Sequence, residues 1–299
     1  MAWGVLGYTI LVILWGGFVR ASGSGAGCGD HWPLCNGEVI PTAPALNTII
    51  EFGHRITSGL ALPAVLVLAW VVFRSFGPGS PVRKAAVASV VFMVLEAAIG
   101  AGLVLFEYVA YNPSIGRAVW MGAHLTNTLF LLGALTLTAW WAEGGATPKW
   151  TASGRTAWIV ASLVATVILG AGGAITALGD TLVLGGGLDP ETDPIVAALI
   201  GARVFHPTMA FVTLAVLGAT VVVSRPVGVR VTQMGMALLG VFLVQMALGA
   251  LNVWLLAPIW MQIIHLLMTD LIWIGLVIFA TETLGAPEAV PASEPALAG

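Results

Sequence analysis

Charge is what these 299 residues have least of: 8% are Asp, Glu, Lys or Arg, against 59% hydrophobic. Soluble domains carry roughly 25% charged residues, so a water-solvated fold is excluded and the chain falls in the membrane class. Cysteine is nearly absent too. Two residues cannot build the disulfide framework of a small secreted scaffold. Histidine is almost as scarce, with five, so any regularity among the five carries weight. With 11 Lys and Arg in all, no nucleic-acid partner is expected; lipid is the expected surroundings.

What the chain has in abundance is long apolar runs. A hydrocarbon core about 30 Å thick is crossed by about 20 helical residues, and eight segments qualify: approximately 2–19, 56–73, 85–106, 118–142, 156–177, 204–224, 231–255 and 259–281. Two contain an acid, Glu96 in the third and Asp270 in the eighth. The first begins almost at Met1 with no basic stretch or small-residue cleavage site, and reads as a retained helix. Cytoplasmic loops collect Lys and Arg. Arg74, Arg83, Lys84, Lys149, Arg155, Arg225 and Arg230 follow the even-numbered segments on one side, whereas Asp180, Asp189, Glu191 and Asp193 crowd an opposite loop. Both termini are therefore expected in the cytoplasm. Residues 285–299, rich in Pro, Ala and Glu, are expected to form a disordered tail.

The halves repeat. His54 maps to His206 and His124 to His265, and Leu95-Glu-Ala-Ala-Ile-Gly-Ala maps to Val244-Gln-Met-Ala-Leu-Gly-Ala. Gly16-Gly17 recurs as Gly172-Gly173. The matches are collinear, which divides the chain into four-helix halves at 1–145 and 146–284. An even number of helices per copy makes the copies parallel, related by an axis along the membrane normal. The expected fold is all-α, eight transmembrane helices as two parallel-repeat four-helix bundles. All four repeat-related histidines then sit at helix starts on the outer side.

Neutral imidazole is the commonest metal ligand, and ionisable groups at membrane depth are read as functional. The bland reading is a histidine hydrogen-bonded between helices; it suits one histidine better than four at repeat-related positions. Zinc and copper sites gather ligands within short stretches, whereas these histidines come from separate helices. That suits axial ligands on opposite faces of a haem iron, His54 with His124 and His206 with His265. The halves differ beside those ligands: Glu51 stands three residues before His54, and Arg203 three before His206. Arg203 can pair with a haem propionate, and Arg55 could do likewise. Glu51 suits proton transfer or stabilisation of positive charge, or else a plain salt bridge to Arg55 or Arg117. Glu96 and Gln245 read as interhelical hydrogen-bonding residues. Asp270 receives no role.

Cys28 and Cys35 share the first outer loop, in Cys28-Gly-Asp-His-Trp-Pro-Leu-Cys35. On the oxidising side a disulfide is expected, as a loop staple or as a redox pair. The spacing is neither a zinc nor a thioredoxin signature, and His31 leaves a metal site open.

Together these stretches resemble one family, the haem A synthases. The resemblance runs through Gly23-Ser-Gly-Ala-Gly-Cys28, Trp32-Pro-Leu-Cys35-Asn-Gly, Glu51-Phe-Gly-His54-Arg55, Gly122-Ala-His124-Leu, Arg203-Val-Phe-His206 and Ile264-His265-Leu. His31 departs from the family's loop pattern. The resemblance implies oxidation of a ring methyl of haem O, through hydroxylation, to the formyl group of haem A. It implies that His54 and His124 embrace the substrate haem, with Glu51 assisting, and that His206 and His265 hold a haem b cofactor, with Arg203 and Arg55 among the cofactor-binding residues. Implied partners are a haem O synthase, an aa3-type terminal oxidase or its assembly factors, and an unidentified electron donor; a homo-oligomer is left open. The implied location is the plasma membrane of a prokaryote. A dihaem transmembrane cytochrome b would share the four histidines without needing Glu51 or the cysteine loop, and a transporter of parallel repeats would bind no haem.

Overall fold

A computed structural model describes residues 1–285; the expected tail lies outside the described residues except for its first residue. Among the described residues nine α-helices follow one another: α1 (Ala2–Ala21), α2 (Leu46–Ser75), α3 (Pro81–Leu105), α4 (Ile115–Ala142), α5 (Gly154–Asp180), α6 (Pro194–Gly201), α7 (Phe205–Ser224), α8 (Val229–Trp254) and α9 (Ile259–Gly285). α5 runs on as a π-helical turn over Thr181–Gly185, and α6 joins α7 through a 3-10 turn at Ala202–Val204. Among the described residues eight helical spans are therefore long and apolar enough to cross a membrane, the sixth being Pro194–Val227. The break within it has a local cause: the ring of Pro207 displaces the carbonyl four residues earlier, that of Arg203, and offers it no N–H.

Polar caps mark several starts. Ser80, Ser114 and Ser153 each accept a backbone N–H three residues on, and Asp193 accepts those of Ile195 and Val196. The helices outrun the apolar segments, most of all α2, which begins at Leu46 rather than near residue 56. Hydropathy sees only the part that lipid can cover. The helix continues through Glu51 and Arg55 because those two charges pair with each other. Three of the four repeat-related histidines are consequently not at helix starts, while His206 is at the start of α7 but deep in the span that α6 begins. His54, His124 and His265 lie roughly two turns inside α2, α4 and α9, and His206 about three turns into the α6–α7 span.

Within residues 1–142, α1 packs on α2, α2 on α3, α3 on α4 and α4 back on α1; among the later helices α5, α7, α8 and α9 close in the same cyclic order. α4 and α9 meet at the centre, flanked by α4 on α5 and α1 on α9. The core there is largely aliphatic, with Leu129, Leu132, Leu135 and Leu276 buried beside the ring of Phe279. Trp273 Nε1 donates to Leu129 O at 2.5 Å. Towards the end that carries the cysteine loop the join is polar: Arg20 of α1 donates to Ala177 O (2.9 Å), Thr181 Oγ1 (2.8 Å) and Gln262 Oε1 (2.8 Å).

Candidate haem-binding site

The four histidines occupy the end of the bundle that carries the cysteine loop, and each is half-buried. Backbone without side chain makes room for three of the rings. A Cβ placed on Gly16 of α1 would stand 3.0 Å from His54 Cε1, one on Gly173 of α5 2.9 Å from His206 Cε1, and one on Gly249 of α8 3.1 Å from His265 Cε1. The glycine doublets thus correspond one residue out of step with their sequence match: Gly16 and Gly173 face the rings, while Gly17 faces Leu266 and Ile263, and Gly172 faces Phe205. A doublet conceals which of its members meets the imidazole.

His206 and His265 have ring centroids 6.4 Å apart and planes at 73°. A metal–imidazole bond is about 2.0–2.1 Å and the ring centre lies roughly 1.1 Å behind the nitrogen, so two imidazoles across one ion have centres about 6.3 Å apart. The spacing is that of two imidazoles able to share one metal ion. His206 Nδ1 lies 3.1 Å from Leu169 O, a contact of the kind that fixes the tautomer of a ligating histidine and leaves Nε2 unprotonated. Nδ1 of His54, His124 and His265 is buried without a hydrogen-bond partner.

Glu51 is 4% exposed. Its Oε1 accepts from Arg55 Nε (3.1 Å) and Nη2 (2.5 Å), and its Oε2 from the backbone N–H of Cys28 (2.8 Å). Of the alternatives open in the sequence, the Arg55 salt bridge is present, though buried. Arg117 lies elsewhere, donating to Asn112 O at 3.2 Å. Arg55 is committed to protein: its Nη1 also donates to the carbonyls of His31 and Leu34. Cys28 and Cys35 form a disulfide of 2.01 Å, both side chains fully buried. Thr48 Oγ1 donates to Gly27 O at 2.7 Å, so α2 holds the disulfide loop from two successive turns below His54. His31 is exposed, with Nδ1 3.3 Å from Asp30.

Arg203 is bound to Asp180 of α5. Its side chain stays 35% exposed, which leaves terminal donors of the guanidinium for a carboxylate, whereas its Nε is buried without a partner. Sequence reasoning named Arg203 without finding Asp180; the acidic fifth loop was its only signal. It also left Glu96 as an interhelical residue. Glu96 is one, but its carboxylate also reaches a candidate ligand: Oε1 stands 3.4 Å from His124 Nδ1. Asp270 is wholly buried, with neither oxygen partnered.

Comparison with known proteins gives this geometry a context. The family model described as cytochrome oxidase assembly protein (COX15-CtaA) matches residues 1–277. A protoheme IX farnesyltransferase of Thermus thermophilus is 47% identical over 293 residues, 95% of this chain and 48% of its own. Heme A synthases of Alkalihalophilus pseudofirmus and Halalkalibacterium halodurans are 42% and 43% identical over 97 residues, 32% of this chain and 33% of theirs. The chain spans about half the length of the Thermus protein.

Proposed function

Because the chain belongs to the cytochrome oxidase assembly protein family, we propose that it is a haem A synthase, oxidising a ring methyl of haem O through a hydroxylated stage to the formyl group of haem A. The observation that carries this reading is the set of four half-buried histidines on alternate helices, one pair spaced for a single iron. The names of the two heme A synthases agree with it.

The halves 1–145 and 146–284 divide the work. His206 and His265 hold haem b, which supplies one-electron redox chemistry when bound, and Arg203 offers the terminal guanidinium donors that Asp180 leaves free to a propionate. His54 and His124 hold the substrate, haem O. Glu51, one turn before His54 on the same helical face, serves proton transfer in the substrate half. Arg55 steadies that carboxylate rather than a propionate. The disulfide bears on the same residue, since the Cys28 N–H binds Glu51.

Haem O comes from a farnesylating haem O synthase, a partner suggested by the name of the Thermus relative, and haem A passes to an aa3-type oxidase or its assembly factors. The protein resides in a prokaryotic plasma membrane with both termini cytoplasmic and the haem sites toward the outer face, as the distribution of Lys and Arg between loops indicates. A dihaem cytochrome b that only passes electrons would use His206 and His265 equally well, but it gives Glu51 and the disulfide no task.

Pigment extraction separates these readings. Haem O or haem A alongside haem b in the purified protein supports the synthase, and haem b alone in both sites removes it. Replacing Glu51 by Ala is expected to lower conversion of haem O by about 10²–10⁴-fold, the usual worth of a general acid or base, with total haem content unchanged.

A further inference from the structure

The two histidine pairs differ behind the ligands as well as beside them. Glu96 on α3 and Gln245 on α8 are repeat-related, each set one turn before a glycine, Gly100 and Gly249. His124 and His265 correspond on α4 and α9, as do Thr128 and Thr269, while Asn127 corresponds to Met268.

In the second copy Gln245 Nε2 donates to His265 O (2.8 Å) and Thr269 Oγ1 (2.9 Å), and its Oε1 has no partner. The amide joins helix to helix and leaves the imidazole on Gly249. In the first copy the equivalent side chain is a carboxylate on which three groups converge. Asn127 Nδ2 donates to Glu96 Oε2 (2.6 Å), Thr128 Oγ1 donates to Oε1, and His124 Nδ1 lies 3.4 Å from the same Oε1. A Cβ on Gly100 would touch nothing within 4 Å. The His124 ring has left the position that His265 keeps and lies beside Glu96 instead. A carboxylate at this depth is costly unless it is satisfied, and Asn127, the donor that holds it, is missing from the copy that lacks the charge.

We propose that Glu96 is a positioning residue for His124, accepting its Nδ1–H so that Nε2 is presented as a carboxylate-backed ligand to a haem iron, while His265 has no such backing. The inference rests on the proposed function only in taking His124 as a haem ligand. The 3.4 Å contact is too poorly aligned to be a full hydrogen bond here, and it closes when Nε2 is engaged, as functional contacts commonly do. A hydrogen-bonded carboxylate fixes the tautomer of a ligating histidine and raises its basicity. That favours the ferric state, so the two haems differ in potential through residues that touch neither of them.

The test uses the full-length protein in detergent, loaded with hemin and followed by spectroelectrochemical titration. Glu96→Gln is expected to weaken hemin binding in the amino-terminal half by about 10–100-fold, the usual cost of losing an outer partner of a metal ligand, to raise the reduction potential of that haem, and to leave the other unchanged. Gln245→Glu, made with Met268→Asn so that the charge has its donor, should lower the potential of the second haem. If Glu96→Gln moves neither affinity nor potential, the carboxylate is only an interhelical tie and the proposal falls. If Glu96→Gln does not accumulate, the Gln245→Glu variant decides, and an unmoved second potential overturns the idea. His124→Ala on the same scale keeps the layers apart: should it retain the first haem at full affinity, His124 is no ligand and the function assigned to that half fails first.

Discussion

Arg203 shows how one side chain can serve two ends. It is anchored to Asp180 through one terminal nitrogen and keeps about a third of its side chain exposed. A hydrogen bond to a charged group contributes about 1.5–3 kcal/mol. Arg203→Ala is therefore expected to weaken haem binding in the second half by roughly 10–100-fold in a hemin titration, with the first half unaffected. Arg55 behaves differently. Its donors are spent on Glu51 and on the His31 and Leu34 carbonyls, so it locks the cysteine loop to α2 rather than offering itself to a ligand. The residue pattern named both arginines; it could not divide them, because what distinguishes them is which acid the fold brings near.

At the scale of helices, close approach of small residues lets the histidine-bearing helices reach their neighbours. Gly16 admits the His54 ring and Gly173 the His206 ring. Gly16→Ala should disturb the first site and Gly173→Ala the second, each by on the order of 10-fold in hemin affinity, an outer-shell effect. Because each variant touches one half, the separate bands of a two-haem spectrum report them independently; loss of both bands from either variant would contradict the division. The break between α6 and α7 also belongs to this scale. Pro207 follows His206 directly, so the interruption of regular α-helix falls just before the proposed ligand, with His206 in the first turn of α7.

Across the whole molecule, the two quartets are joined by an aliphatic centre between α4 and α9 and a polar clasp at Arg20. Helix association in lipid lacks the hydrophobic drive found in water, and interhelical hydrogen bonds average about 0.6 kcal/mol, with a maximum near ~1.7. Trp273→Phe, which removes the bond from α9 to Leu129 O, is expected to cost stability within that range, read as a small fall in the midpoint of thermal unfolding in detergent. Both haem spectra should persist, since neither histidine pair spans this join.

Eight apolar runs, their polarity of charge and the collinear histidines are local properties, and hydropathy with simple spacing was enough to read the number of apolar spans and to suggest the repeat and the candidate ligands. Lipid demands apolar length and internally satisfied backbone, and both can be counted along a chain. What tertiary structure decided is which side chains meet across helices: Glu51 with Arg55 and the Cys28 N–H, Arg203 with Asp180, Glu96 with His124. These contacts depend on the rotation and height of one helix against another. A shift of one residue turns a side chain by about 100°, a quantity set by packing and invisible to composition or periodicity.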